Sequence, residues 1–360
     1  MKSAKKIAIR VDSSNQIGTG HFMRCLTLAD ELKKQGAQIC FISRNLLVHF
    51  IKILGIKGME HVPLSDVSVH AVGDELAHSH WLGASQFQDA QATIKVLANQ
   101  SWDWMIVDHY ALDKRWERAV LGSCKNLMAI DDIADRQHDC DVLLDQNYYA
   151  DMQTRYISKV PAHCQLLLGP RYALLREEFR TLREKVKVRV GDVKKILVFF
   201  GGVDADNCTS LAMQALAELN TKQQVDVVIG VQHPNREQIQ QACINNGFIC
   251  HLQTTRIAEL MAEADLAIGA GGSASWERCC LGLPALLVAV SGNQIDIAKS
   301  LDSIGACYYL GEKDAVNSSS IQHSFNEFLV APDQVRSISQ QAFSLVDGFG
   351  VNRVSEALGC

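Results

Sequence analysis

Residues 6–21 read KIAIRVDSSNQIGTGH, and residues 266–277 read LAIGAGGSASWE. Each opens as a short apolar run, breaks in a turn of glycine and small polar residues, and passes into a helix. After the first, Phe22, Leu26, Ala29 and Leu32 recur at helical spacing until Gly36. A strand that feeds a helix through a glycine turn is the repeating unit of parallel sheets covered by helices on both faces.

Working outward, the same alternation fills the chain. In the first half AQICFIS, MEHVPL, DWMIVDHY, NLMAIDDIA and CDVLLDQN read as strands, and LVHFIKILG, residues 87–98 and DKRWERAVLG as helices. Residues 69–80 form a polar, His-containing connection. YALLREEFRTLREKVK, from Tyr172 to about Lys187, reads as one charge-laced amphipathic helix, and the basic VRVGDVKK after it has few apolar anchors. ILVFFGG, VDVVIG, FICHL, DLAIGAGG, PALLVAV and ACYYLG then restart the strands, with helices between them and a helical tail from Pro332.

A chain of 360 residues exceeds what one hydrophobic core usually organises. The expectation is an α/β protein of two Rossmann-like domains, residues 1–188 and 189–360, whose parallel sheets face a central cleft in the arrangement called GT-B. The terminal helix is expected to pack back on the first domain. Such a fold analogy fixes no chemistry by itself.

With 48% hydrophobic and 21% charged residues the composition is that of a folded protein rather than a disordered one. A formal net charge of -5 gives no basic field to attract nucleic acid or an anionic membrane, so neither is an expected partner. Helix N-termini can still seat a phosphate, whatever the net charge. The first apolar run soon meets Arg10 and Asp12, which makes it too short and too charged for a signal peptide or a membrane span. The 12 cysteines are scattered without a C-x-x-C pair and read as reduced thiols of a cytoplasmic protein.

Gly18 and Gly20 let the backbone turn tightly and approach a ligand, and the N–H groups of the first helical turn favour an anion. His21 on that turn suits a base near neutral pH, although a G-x-G turn that merely starts a helix explains the spacing equally well. Arg10, Thr19 and Arg24 on the same stretch are candidate substrate contacts. The dinucleotide fingerprint wants a third glycine where Met23 stands, so NAD binding is disfavoured and no cofactor is expected. Asp108, His109 and Tyr110 end another strand and should project at the same edge, as should Asp131 and Asp132, a pair more often found holding loops.

In the second half, Gly271 and Gly272 permit close backbone approach, Ser273 can cap the helix, and Glu277 lies about one turn further in. Together they make a plausible diphosphate and ribose seat, although ordinary capping also produces Ser-x-x-x-Glu. Asn293 and Gln294 open the next helix, and Gly201 and Gly202 end a third strand at the same crevice. Asp204-Ala205-Asp206 looks like a D-x-D metal motif, but it stands just before a helix, where capping is the better reading. His78 and His80 beside Trp81 lack a third ligand or helical spacing and read as a surface loop.

Taken together, RVDSSxxIGTGHxMRCLxLA at the start, VDHY, GxxYALLRxEF and GGSASWE resemble the UDP-2,4-diacetamido-2,4,6-trideoxy-β-L-altropyranose hydrolases of pseudaminic acid biosynthesis over nearly the whole chain. The resemblance implies a metal-free GT-B protein related to the peptidoglycan GlcNAc transferase, with water in place of the acceptor sugar. It implies inversion at C1, His21 as catalytic base, and UDP held by Gly271 to Glu277 with help from Gln294. Asp12 is expected to orient the His21 ring as a carboxylate does in a hydrolytic triad, and Tyr110 to bond the sugar or the water. A transferase using a UDP-sugar donor and a non-enzymatic nucleotide-sugar binder are the alternatives. In all three a small-molecule UDP-sugar is the partner, and the oligomeric state stays open.

Overall fold

The computed structural model describes residues 4–14, 16–65 and 74–360. Part of the polar connection, 69–73, lies outside the described residues. The chain divides into two units. One holds the residues up to Asn147, Asp151–Leu174 and Gly350–Cys360, and the other holds Tyr148–Ala150 and Leu175–Phe349. The expected junction at 188/189 therefore falls inside the second unit.

In chain order the first unit contains β1 (Lys6–Val11), α1 (Gly20–Lys34), β2 (Gln38–Ser43), α2 (Val48–Ile56), β3 (Glu60–Pro63), α3 (Gln86–Leu97), β4 (Trp102–Asp108), α4 (Lys114–Val120), β5 (Cys124–Ile130), β6 (Val142–Asp145) and β7 (Gln165–Leu168). The strands are parallel and lie in the order β3-β2-β1-β4-β5-β6-β7. Successive side chains of a strand face opposite sides. Accordingly Ile7, Ile9 and Val11 of β1, with Trp104 and Ile106 of β4, join Phe22, Leu28 and Phe41 in one core layer, while Ala8, Met105 and Val107 join Trp116 and Leu127 in the other. Burial on both faces explains why these strands read as nearly unbroken apolar runs.

The second unit contains α5 (Glu177–Arg183), β8 (Lys195–Phe199), α6 (Cys208–Glu218), β9 (Gln224–Ile229), α7 (Arg236–Asn246), β10 (Ile249–Leu252), α8 (Ile257–Glu263), β11 (Leu266–Ala270), α9 (Ala274–Cys280), β12 (Ala285–Ala289), α10 (Gly292–Ser303), β13 (Tyr308–Glu312), α11 (Ser318–Val330) and α12 (Pro332–Leu345). Its parallel order, β10-β9-β8-β11-β12-β13, is that of the doubly wound dinucleotide-binding sheet. In both sheets the strand order reverses beside the first strand, between β1 and β4 and between β8 and β11. The chain leaves neighbouring strands there toward opposite faces and opens a crevice at their carboxyl ends.

The long helix expected from Tyr172 to Lys187 is much shorter. Leu174 is buried in the first unit's core with Tyr172 packed against it, and the Leu174 N–H donates to Gln146 Oε1 at 3.0 Å, so these residues are not available as a helix face. The helix begins only at Glu177, with acids in its first turn and Arg180 and Arg183 in its last, the order that the helix dipole favours. The last helix, α13 (Gly350–Ala357), places Val351 and Val354 in the first unit's core, joined by Leu358 just beyond it.

Candidate functional site

The turn after β1 closes on itself. Gly18 adopts a left-handed φ of 81°, its N–H donates to the Ser14 carbonyl at 2.8 Å, and Ser13 Oγ donates to the Gly18 carbonyl at 2.7 Å. Thr19 and Gly20 are thereby left exposed at the head of α1, where no side chain caps the helix and no acid occupies the first turn. The unblocked N–H groups suit an anion.

His21, on the first turn of α1, is 9% exposed, and its Nδ1 lies 2.6 Å from Oδ1 of Asp108, the last residue of β4. An ionised carboxylate only accepts, so Nδ1 carries the proton of this bond and Nε2 is the ring nitrogen left for another partner. Arg24, one turn further along α1, clamps the same carboxylate with Nε to Oδ2 and Nη2 to Oδ1, both at 2.6 Å, and reaches Asp132 Oδ2 with Nη1 at 2.7 Å. Burial alone would raise the Asp108 pKa, but Arg24 and His21 hold it well below the usual carboxylate range. The Tyr110 hydroxyl donates to Asp132 Oδ1, and its ring meets His21 edge-on with centroids 4.6 Å apart. Burial and then Asp132 keep that phenol protonated.

Asp12 is not the partner of His21. Arg10 Nη1 and Nη2 bond it at 2.7 and 2.9 Å, the N–H groups of Arg44 and Asn45 reach its Oδ1 at 2.7 and 3.2 Å, and His109 Nε2 lies 3.3 Å from its Oδ2. Arg10 and Asp12 alternate along β1 and so share a face, whereas the turn carries His21 toward β4. Arg10 is fully buried and also bonds Asp89 at 2.8 and 3.1 Å; His109 is buried, and its Nδ1 accepts from the Ala111 N–H at 3.1 Å. Neither is presented to a ligand, and Arg24 is likewise committed to two carboxylates. These residues organise the strand ends instead.

One participant, Asp89, escaped the sequence reading; Asp132, expected at the strand edge, and the His78–Trp81 loop, read as surface, take larger parts than expected. Asp89, inside α3, completes the Arg10 cluster, and Asp132 links Arg24 to Tyr110. Trp81 stacks beside Tyr110 with centroids 5.7 Å apart, and His78 tilts against both rings at 4.5 and 5.2 Å. The loop read as surface thus brings His78 and Trp81 to the tyrosine, while His80 is exposed. No spacing announced this; only the unusual run His-Ser-His-Trp did.

In the second unit, Gly269 lies so close to β8 that an added Cβ would stand 2.2 Å from the Phe199 carbonyl oxygen. Gly271 and Gly272 follow it and face Gln294, whose Nε2 is 3.4 Å from where a Cβ of Gly272 would be. Gln294 Oε1 accepts from the Val290 N–H at 3.2 Å, and Ser291 Oγ donates to Asn293 Oδ1 at 2.6 Å, so these amides are held at the start of α10. Gly201, with φ 103°, and Gly202 follow β8, and an added Cβ at either would meet nothing within 4 Å.

Ser273 does not cap α9. Its backbone is already helical at φ -54° and ψ -27°, which turns the hydroxyl away from the amides that a capping residue in extended geometry would reach. Glu277 is half-buried, with Oε1 3.6 Å from Arg176 Nη2, and burial raises its pKa against the pull of Arg176 and Arg278. Arg278 is buried under the turn, where its Nη2 donates to the Ala270 carbonyl at 2.6 Å and to Ser275 Oγ at 3.1 Å. A guanidinium bound to neutral groups keeps a positive potential beneath the Gly271–Ser273 backbone.

Asp204 caps α6, accepting from the N–H groups of Cys208 and Thr209 at 3.1 and 2.8 Å, while Asp206 pairs with Lys313 at 2.5 Å. The two acids of the D-x-D therefore have separate structural duties. Among the described residues no group of three or more His, Cys, Asp or Glu is arranged to hold a metal ion.

Residues 195–342 match the glycosyltransferase family 28 C-terminal domain. Over 265 residues the chain is 27% identical to the UDP-2,4-diacetamido-2,4,6-trideoxy-β-L-altropyranose hydrolase of Campylobacter jejuni, which covers 73% of this chain and 84% of that one. It is 27% identical over 213 residues to the spore coat polysaccharide biosynthesis protein SpsG of Bacillus subtilis, 58% of this chain and 62% of that one. The crystal structure of Acinetobacter baumannii MurG superposes with a TM-score of 0.66 at 15% identity and 99% coverage of both chains. Arabidopsis thaliana UGT89C1 complexed with UDP does so with 0.68 at 11% identity, covering 99% of this chain and 100% of that one. The fold is GT-B, and the resemblance to the hydrolase family carried by the motifs extends along most of the sequence. No helix among the described residues is long and apolar enough to cross a membrane.

Proposed function

We propose that this chain hydrolyses a UDP-linked 2,4-diacetamido-2,4,6-trideoxy hexose at C1 with inversion, releasing UDP and the free sugar, as a cytoplasmic step of pseudaminic acid biosynthesis. The observation that carries the reading is the 2.6 Å contact between His21 Nδ1 and Asp108, which supports a proton on Nδ1 and the use of Nε2 as the basic nitrogen. Nε2 takes a proton from water as its oxygen attacks C1; the C1–O bond to the diphosphate breaks, and UDP departs with the electron pair. Asp108 steadies the imidazolium formed. UDP is a good leaving group, so the charge gained by its phosphate needs hydrogen-bond donors more than an acid. The N–H groups of Gly271, Gly272 and Ser273, the start of α10 with Asn293 and Gln294, and the field of Arg278 are suited to supply them. Glu277 is assigned to the ribose. The relationship to the Campylobacter hydrolase supports the same reading.

The test is the candidate UDP-sugar with enzyme and no acceptor, followed by proton NMR of the anomeric signals. Steady release of UDP and an inverted sugar is expected. His21→Asn should lower turnover by about 100-fold or more, the usual share of a general base, with UDP affinity unchanged in calorimetry; wild-type turnover in that variant overturns the assignment. The match of residues 195–342 to a transferase domain favours one second reading, transfer to an acceptor sugar. That reading gains if UDP appears only when an acceptor is added.

A further inference from the structure

Cys140 and Cys164 stand just before β6 and β7, whose first residues Val142 and Gln165 are register partners on strands about 4.8 Å apart. Both are free thiols, and their sulfurs lie 3.7 Å from each other. Backbone bonds hold the two segments together on either side of the pair: the His138 N–H donates to the Lys159 carbonyl at 2.7 Å, and the Gln165 N–H to the Asp141 carbonyl at 2.8 Å. Closing the sulfurs to bonding distance, about 2.05 Å, therefore asks for side-chain rotation rather than a shift of strands. Cys140 is buried, whereas Cys164 is half-buried beside the edge strand of the sheet, where its contact with the Gln165 carbonyl is open to solvent. Among the described residues no further ligand joins the two thiols to make a metal site. The Cys140 thiol donates to Cys164 and lowers its pKa against burial, with the charged His138 assisting and Asp141 and Glu117 opposing. The same bond and burial push Cys140 up. An accessible thiol inclined to ionise, with a second thiol in contact, is the arrangement that redox-responsive cysteines share.

We propose that Cys140 and Cys164 form a reversible disulfide in response to peroxide, with Cys164 as the attacking thiol and Cys140 as the resolving one. The site is separate from His21 and its partners, and the proposal does not rest on the hydrolase reading. The Cys164 thiolate attacks one peroxide oxygen; the O–O bond breaks, hydroxide leaves and takes up the proton that Cys164 gave, and a sulfenic acid remains. The Cys140 sulfur then attacks the Cys164 sulfur, the S–O bond breaks, and the hydroxyl departs as water with the Cys140 proton. Two thiols are oxidised by two electrons, and one peroxide is reduced to two waters. The bond closes residues 141–163 into a loop that carries Arg155 and Tyr156, both of which donate to Asp145 Oδ2 at 3.1 Å. Oxidation thus braces the segment that meets the carboxyl end of β6, and by restricting the unfolded chain it stabilises the first unit.

The test exposes the folded full chain to hydrogen peroxide, blocks the remaining thiols with N-ethylmaleimide and maps the digested peptides by mass spectrometry. A Cys140–Cys164 linked peptide is expected, lost on reduction with dithiothreitol, and the oxidised chain should unfold its first unit at higher urea. Before oxidation, iodoacetamide should label Cys164 at least about tenfold faster than Cys124, which is also half-buried but is raised by burial to about 11. The Cys164 thiolate is more abundant by at least about 100-fold, and its weaker nucleophilicity takes back about tenfold of that. Cys140→Ser lacks the resolving thiol and should accumulate a dimedone adduct on Cys164 under peroxide; Cys140→Ala takes its place if that variant fails to fold. Cys164→Ser should remove the linked peptide. A link found only after denaturation, or Cys164 joined to a cysteine other than Cys140, overturns the proposal. So does peroxide that oxidises other cysteines and leaves these two free.

Discussion

Asp108 holds the Arg24 guanidinium and the His21 ring with one carboxylate, and that makes it the most informative single residue to change. In Asp108→Asn the amide no longer balances Arg24, and its NH2 group can face Nδ1 and move the imidazole proton to Nε2. Turnover should fall by up to about 10⁴-fold, the effect of misplacing a triad tautomer. Thermal melting should also drop, because removing one partner of a buried ion pair costs about 3–5 kcal/mol. His21→Asn should lose turnover without the melting penalty; equal melting temperatures for the two variants would show that the Arg24 clamp is dispensable. His21 itself was legible, because a histidine after G-x-G at a strand-to-helix turn has few places to go. Its partner was not, since Asp108 is remote in sequence and Asp12 only looked near. A second prediction concerns His138, whose Nδ1 is 2.7 Å from Glu117 Oε1 and which, despite burial, is raised from 6.5 to about 9, chiefly by Glu117 with Asp131 assisting. A folded pKa above the unfolded one stabilises fully below about pH 6.5 and fades as pH rises through about 9. Urea unfolding of wild type and His138→Gln should show a stability gap that is widest near pH 6 and closes toward pH 10. A gap independent of pH would deny His138 a charged role.

Neighbouring glycines of one strand-to-helix junction serve different ends. Gly269 lets β11 approach β8, and a methyl there meets a backbone carbonyl that cannot swing aside. Gly269→Ala should cost about 3 kcal/mol, the upper range for overpacking, or roughly 6–12 °C in Tm for a unit of this size. Gly272→Ala meets only the movable Gln294 amide and should leave Tm unchanged while weakening UDP binding about tenfold in calorimetry. A stable Gly272→Ala with full affinity would remove that backbone from the diphosphate seat. At this scale the sequence was most readable where physics leaves least choice: β1, β4, β8 and β11 are buried on both faces, and only apolar runs survive there. It was least readable where an element is short or dressed in polar residues. β7 offers only Gln165–Leu168, and α11 opens on Asn317 and serines that form its capping box before its apolar face begins. YALLREEF misled because its apolar half belongs to the core of one unit and its charged half to a helix of the other. Ser273 misled for a related reason: residue type suggested a cap, and backbone geometry withheld it.

The alternation of strands and helices over 360 residues made two doubly wound units readable before any coordinate. The course of the chain between them is less visible, because a return of the C-terminus depends on a few side chains rather than on a pattern. Val351, Val354 and Leu358 occupy the same core layer as Phe22 and Trp104, and Trp104 Nε1 donates to the Leu358 carbonyl at 3.0 Å. Each buried aliphatic side chain of this kind contributes about 1.5–3 kcal/mol, and losing the carbonyl would leave a buried indole N–H unpaired at a further cost of about 1–3 kcal/mol. These sums are a large share of the stability of an ordinary domain. A chain ending at Phe349 should therefore unfold its first unit at lower urea, with amides of β1 and β4 losing protection in hydrogen exchange. Amides of β8 and β11 should keep theirs, because their core, built from residues such as Ile196, Val198, Leu266 and Ile268, contains no residue beyond Ile338. Leu358→Ala should reproduce the direction of the effect at about 2–5 kcal/mol. If β1 and β4 stay protected in the shortened chain, the returning helix is an ornament of the first unit; if β8 and β11 lose protection with them, the two cores do not hold their stability separately.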